Sequence, residues 1–200
     1  MSVSIVLLAA GSSRRFGEAN KLLAPMRGVP IVRVLAETLV ASRASDIVVV
    51  TGPDGEAVRG VLDGLAVRFV ANEAHLAGIG HSIAVGVGAV GPRADGTLIV
   101  PGDMPLLPAT LIDALIYAFE AGGNDRIVVP VTSEGEQRNP VLWPRRCFAE
   151  LYRLDGDCGG KALLERLVTE SDLLVVQNAD VFGDIDTLED LAVLTRESRS

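Results

Sequence analysis

The chain is expected to fold as an α/β protein, a single doubly wound, mostly parallel sheet with helices on both faces and a small hairpin excursion. Three observations lead there. Short runs of Val, Ile and Leu, stopped by Gly or Pro, alternate with segments of helical periodicity. Aromatic residues make up only 4% of the chain, while Val, Leu, Ala and Gly dominate, which suits strands buried on both faces better than an aromatic-rich sandwich. A length of 200 residues with 48% hydrophobic content supplies one full core without disulfides, so a single domain over residues 1–200 is expected.

Residues 3–10 are an apolar run ending at Gly11, the mark of a buried strand, and a polar loop follows to Lys21. Apolar periodicity then predicts a first helix over residues 30–42, and a second strand over 46–51 is stopped by Gly52-Pro53. A helix over 56–62 and an extended segment over 67–70 continue the alternation. Residues 80–90 read as a helix with Pro92 just beyond, 97–100 as a fourth strand closed by Pro101-Gly102, and 108–121 as another helix. Residues 127–131 and 140–143 are extended on either side of a polar turn, 133–139. This is the hairpin-like excursion, a place where a second-substrate pocket can form. Helix, strand and helix over 161–169, 173–177 and 188–196 complete the order, without linker, repeat or low-complexity tract.

Composition removes several function classes. A net charge of −8 gives no overall basic field for a nucleic-acid backbone or an anionic membrane surface. No apolar stretch approaches the roughly 20 residues that cross a bilayer. The first residues enter an apolar strand without a basic region or a small-residue cleavage site, and only Cys147 and Cys158 are present, without a C-x-x-C. A cytoplasmic location is therefore expected, with both cysteines as buried or incidental thiols.

In doubly wound sheets ligands bind outside the carboxyl ends of the strands, which directs attention to residues 11–21, 72–82 and 102–105. The first loop places Gly11, Ser12 and Ser13 beside Arg14, Arg15 and Lys21, with Glu18 the single acid. Backbone amides and three cations at a strand end suit a polyphosphate, although an ordinary solvated loop is the alternative. It is neither a Walker A loop nor a dinucleotide fingerprint. A formal G-x-G-x-x-G at Gly86, Gly88 and Gly91 falls inside the predicted helix, where the fingerprint has to open one.

Asp103, in Pro-Gly-Asp-Met-Pro, stands where Gly102 and Pro105 end a strand, as a ligand for a hard cation or as a turn cap. Asp184 and Asp186 flank Ile185, so in an extended segment both carboxylates share one side. Thr187 and Asp190 have the spacing of a capping box, and Asp186 has the alternative of merely preceding that helix. His75 and His81 lack Cys or Glu partners at zinc-ligand spacing, Ser12 and Ser13 lack a triad, and Trp143 reads as core or pocket wall.

Taken in order, Leu-Ala-Ala-Gly-x-Ser-x-Arg-x-Gly with Lys21, Gly-x-Gly-x-Ser from Gly78 to Ser82, Gly-Asp-Met-Pro, Asn-Pro-Val-Leu and Asp-Ile-Asp-Thr resemble the MobA-like nucleotidyltransferases. Within that group the chain is most similar to the molybdenum cofactor cytidylyltransferases, the MocA type, from residue 5 to residue 190. The resemblance implies a Rossmann-like fold of the nucleotide-diphospho-sugar transferase type. It also implies that Leu8, Ala9, Ala10, Gly11 and Ser13 line the nucleotide, that Arg14 and Lys21 hold the triphosphate, and that Asp103 binds Mg²⁺, with Mn²⁺ as the alternative ion. Asp186 matches the second metal carboxylate of related transferases. Asn72 and Ser82 fall where relatives contact base or ribose, and the turn of Arg138, Asn139 and Pro140, with Asp157 to Lys161, falls on the acceptor side. Guanylyl-transferring relatives tend to carry Leu-Ala-Gly-Gly, so Ala10, whose methyl would crowd a purine, implies CTP. Some cytidylyltransferases carry His-Pro where this chain has Asn139-Pro140, which alters the hydrogen bonding of the acceptor pocket.

The implied reaction carries CMP from CTP to the terminal phosphate of a molybdopterin-type acceptor, catalysed by Arg14, Lys21 and Asp103, with a molybdoenzyme or its chaperone as receiving partner. The rivals are transfer to another phosphorylated metabolite, an NAD(P)- or flavin-dependent oxidoreductase using the Gly86–Gly91 match, and a non-catalytic cofactor chaperone.

Overall fold

The computed structural model describes residues 2–11, 20–185, 187 and 189–191. The first half of the chain contains β1 (Val3–Ala9), β2 (Pro25–Met26), β3 (Val29–Pro30), α1 (Ile31–Val40), β4 (Asp46–Thr51), α2 (Gly55–Val61), β5 (Arg68–Ala71) and α3 (Ile79–Gly88). The second half adds β6 (Gly96–Pro101), α4 (Ala109–Ala121), β7 (Ile127–Thr132), β8 (Val141–Pro144), α5 (Phe148–Leu151), α6 (Gly160–Arg166) and β9 (Ser171–Val176). Seven strands form one sheet in the order β5-β4-β1-β6-β8-β7-β9, parallel except for β8.

Helices cover both faces because β1 is apolar on both. Ile5, Leu7 and Ala9 point into a core with Val32, Leu35 and Leu39 of α1 and Ile112, Leu115 and Phe119 of α4. The alternate residues Val6, Leu8 and Ala10 point into a second core with Ile83 and Val87 of α3, Leu151 of α5 and Leu163 of α6. This two-residue alternation is what a strand requires when each face must be covered. Each Leu or Val taken fully out of water contributes roughly 1.5–3 kcal/mol, so the β1 layer anchors the fold.

The pair predicted around the 133–139 turn exists, but it does not stand away from the sheet. β8 inserts antiparallel between β6 and β7, pairing Leu98 with Leu142 and Val128 with Leu142. The separate small hairpin is β2–β3, joined by Arg27 (φ 54°) and Gly28 (φ 84°), both in the left-handed region that tight two-residue turns demand. Pro25 and Pro30 at its ends leave it without a strand signature in the sequence. The helix expected over 188–196 falls mostly outside the described residues. At its start the capping box is present: Thr187 N–H donates to Asp190 Oδ2 at 2.7 Å and Asp190 N–H donates to Thr187 Oγ1 at 3.2 Å.

The G-x-G-x-x-G match is structural. Gly86 lies within α3 where the helix crosses the sheet, and a Cβ there would stand 2.3 Å from Val6 Cγ1 and 2.8 Å from Val50 Cγ2. It lets helix and sheet touch and opens no helix towards a ligand, so the dinucleotide-fingerprint route to an oxidoreductase is overturned. Among the described residues no helix is long and apolar enough to cross a membrane.

Candidate active site

Strand register decides what meets at the carboxyl edge. Leu8 of β1 lies beside Pro101 of β6, Ala9 beside Thr51 of β4, and Thr51 beside Ala71 of β5. The chain winds outward from β1 through β4 to β5 on one side and takes up β6 on the other, so winding reverses between β1 and β6. That is where an open α/β sheet leaves a crevice. Gly102 N–H donates to Leu8 O at 3.0 Å, which closes the end of β6 on β1 and delivers Asp103 to the crevice.

Lys21 meets Asp103 there. Its position comes from a one-turn 3-10 helix, Lys21–Leu23, capped by Asn20, whose Oδ1 accepts from Leu22 N–H at 2.9 Å. Asn20 Nδ2 also donates to Asp54 Oδ2 at 2.9 Å, tying this turn to the start of α2. Lys21 Nζ donates to Asp103 Oδ2 at 2.6 Å, a charge-assisted bond between side chains only 16% and 20% exposed. On the other flank Ile185 N–H donates to Asp103 O at 3.0 Å, and the fully buried Ile185 packs with Met26 and Ile31. The 184–185 segment thus runs past Asp103, and Asp184 reaches the same cavity.

That cavity measures about 1160 Å³. Leu8, Ile83, Asp103 and the neighbouring Asp184 line it at the β1–β6 edge, and Asn139, just before β8, and Lys161, on α6, line it from the other. Ile99, Trp143 and Phe182 add apolar wall. Arg138 is also on the wall, its guanidinium paired with Glu136.

The remaining site candidates distribute as follows. Ala9 and Ala10 are buried at the end of β1, and Ala10 packs in the same core as Leu8, Val50 and Ile83, while Gly11 is exposed. Pro140 is buried beside the exposed Asn139. Asn72 and Ser82 are brought together: Asn72, 2% exposed, donates from Nδ2 to Ser82 Oγ at 2.9 Å, and its Oδ1 is 2.9 Å from His81 Nδ1. Asn72 is therefore engaged inside the protein and holds two α3 side chains at the carboxyl edge. Ser13, Arg14 and Asp186 lie outside the described residues.

Three contributors carry no sequence signal for the part they play. His81 has no metal-ligand partners in the sequence, and its partner in the fold is an amide nine residues away. The apolar walls Ile83 and Phe182 look in sequence like any other core position.

A seam joins the two sides of the cavity. Gly80 N–H donates to Gly156 O at 2.9 Å. A Cβ on Gly78 (φ 98°) would stand 2.2 Å from Gly156 O, and one on Gly80 would stand 2.7 Å from Cys158 O. The segment that opens α3 and the segment that leads to Lys161 lie backbone against backbone.

A winding reversal with a lysine–carboxylate pair beside a mixed polar and apolar cavity marks an α/β protein that takes its ligand at the carboxyl edge of the sheet. Residues 5–172 match the MobA-like NTP transferase domain, and the chain belongs to this family of nucleotidyltransferases. Among curated relatives, the bifunctional protein GlmU of Paraburkholderia phytofirmans is 34% identical over 122 residues, 60% of this chain and 26% of that protein. The chain thus spans about a quarter of the GlmU relatives it matches. Nicotine blue oxidoreductase of Paenarthrobacter nicotinovorans is 27% identical over 196 residues, 94% of each chain. Among solved structures, Rv0371c of Mycobacterium tuberculosis H37Rv superposes with a TM-score of 0.83 at 27% identity over 98% of both chains. A complex of Rv0371c with manganese gives 0.79 at 25% identity, again over 98% of both.

Proposed function

We propose that this nucleotidyltransferase acts as a single cytoplasmic domain that transfers CMP from CTP to the terminal phosphate of a molybdopterin-type acceptor and releases pyrophosphate. The observation that carries the reading is the single cavity lined by Leu8 and Asp103 on one side and by Asn139 and Lys161 on the other. A donor and an acceptor held on those walls would meet without a loop having to travel between them.

An oxygen of the acceptor phosphate forms the new bond to the α-phosphorus while the bond from that phosphorus to its bridging oxygen breaks, and pyrophosphate leaves with the electron pair. The phosphate is already a nucleophile, so the demand on the protein is charge. At about 4 Å two like unit charges repel by about 4 kcal/mol at an effective dielectric near 20, and several such pairs meet here. Lys21 and Arg14 would take the triphosphate, and Lys161 with Asn139 the acceptor phosphate. Leu8 to Gly11, with Asn72 and Ser82 behind them, would shape the nucleoside side.

Among the described residues no three His, Cys, Asp or Glu side chains form a self-sufficient metal cage. Asp103 and Asp184 on one cavity wall instead suit Mg²⁺, which takes one or two carboxylates and completes its shell with substrate phosphate and water. Asp103, with Asp184 or Asp186, would hold Mg²⁺ or Mn²⁺, which when bound would neutralise charge on the transferring phosphoryl group.

The test is pyrophosphate release from CTP, GTP, ATP and UTP with Mg²⁺ and either molybdopterin or a sugar 1-phosphate. CTP with molybdopterin should give the highest kcat/KM. Release with the sugar phosphate alone would move the acceptor class, and no release with any pair would sink the reading. A second reading, an oxidoreductase, is favoured by the 94% overlap with nicotine blue oxidoreductase. Nicotinamide oxidation or a flavin spectrum in the purified protein would support it.

A further inference from the structure

We infer that Lys21 is the resident counter-ion of Asp103 and must release it when the nucleotide arrives, so that the divalent cation enters together with the triphosphate and not before it. This rests on the nucleotidyl-transfer reading of the same site.

The geometry makes the exchange a side-chain event. The Lys21 backbone is held from one side by the Asn20 cap and its bond to Asp54. The Asp103 backbone is held from the other by the bond between Gly102 and Leu8 and by the Ile185 N–H on the Asp103 carbonyl. Between two anchored backbones the flexible lysine stem can turn, which opens the 2.6 Å bond without moving either backbone.

The electrostatics then set an order. The carboxylate that a divalent cation would take already accepts from an ammonium, through Asp103 Oδ2, in a pair about four-fifths shielded from water. A dication on that carboxylate would stand beside the ammonium, with twice the repulsion of a unit pair and little screening. A triphosphate resolves the conflict, because its oxygens accept the ammonium and share the cation. Metal affinity is therefore low without nucleotide and rises with it, and by reciprocity the metal raises nucleotide affinity by the same factor.

The experiment titrates Mn²⁺ into the full chain without nucleotide and counts free ion by electron paramagnetic resonance. Wild type is compared with Lys21→Met, Lys21→Arg, Asp103→Asn and the Lys21→Met/Asp103→Asn double variant, each checked by circular dichroism. Lys21→Met should bind Mn²⁺ about tenfold or more tightly than wild type, since removing the ammonium bares the carboxylate. Lys21→Arg, which keeps the charge, should remain weak, and the double variant should lose the gain. Equal affinity in wild type and Lys21→Met, or a gain in Lys21→Arg as large as in Lys21→Met, overturns the inference. A parallel titration with excess CTP should raise wild-type Mn²⁺ uptake. A gain in Lys21→Met with no response to CTP, GTP, ATP or UTP overturns the coupling to the triphosphate and the transfer reading together, and leaves Lys21 as a counter-ion only.

Discussion

Replacing Asp103 by Asn separates what this carboxylate does for the fold from what it does for the reaction. The substitution keeps the shape and removes the charge that faces Lys21 at 2.6 Å. The Lys21 side chain keeps some exposure to water, 16%, so the loss should lie near the low end for a charged hydrogen bond, on the order of 1 kcal/mol. For a chain of this size that lowers the melting temperature by about 2–4 °C. The reaction should suffer far more. Removing one preorganised electrostatic element from a site of charge development typically costs about 3–4 kcal/mol, or roughly 10²–10³ in kcat. Steady-state pyrophosphate release at saturating CTP, with a thermal melt and a CTP binding curve on the same preparation, reads all three quantities. A kcat within about tenfold of wild type would refute the assignment of Asp103. A drop in melting temperature above about 10 °C would refute the claim that its role is chemical more than structural.

Four further outcomes follow from particular contacts. Gly86→Ala drives a methyl to within 2.3 Å of Val6 Cγ1, and such overpacking should cost about 1–3 kcal/mol, seen as a lower melting temperature; an unchanged melt would contradict the close approach of α3 to the sheet. Cys158 is exposed and should react at once with an aromatic disulfide reagent, whereas the buried Cys147 should react only on unfolding. Burial pushes the Cys147 thiol up, so the folded chain keeps a proton that the unfolded chain sheds above about pH 8.5; stability from this group is intact below that value and falls above it, and Cys147→Ala should flatten the alkaline decline in chemical denaturation. Trp143 is the single tryptophan, is 1% exposed and faces the cavity, so its emission should be blue-shifted and should change on saturation with any acceptor that is turned over; an unaltered spectrum would place that acceptor elsewhere.

The sheet was legible because burial on both faces leaves continuous Val, Ile and Leu runs, and Gly or Pro marks their ends. Order along the chain was legible too, but order across the sheet was not. Nothing local in residues 141–144 says that this strand slips between β6 and β7, since that depends on which neighbour offers a free edge. Lys21 and Asp103 were each recognisable from their surroundings, yet their bond spans 82 positions and only the fold reveals it. Asn72 shows the opposite limit. The resemblance implies a contact to base or ribose there, while the bonds of its amide to Ser82 and His81 within the protein are visible only in the fold. Short-range patterns carry strands and turns well; they carry poorly the difference between a polar group that faces a ligand and one that holds its neighbour.

The seam between Gly78–Gly80 and Gly156–Cys158 bears on how such a scaffold can change its substrates over evolutionary time. Where two walls of a cavity are separate loops, each can drift on its own. Here the wall that opens α3 and the wall that leads to Lys161 share backbone contacts too close for a single Cβ. A substitution that shifts one wall moves the other with it, so single changes at the seam should alter both sides of the cavity together. The Arg138–Asn139 turn takes no part in these close backbone approaches, so changes there should reshape one stretch of the cavity wall without carrying the seam along.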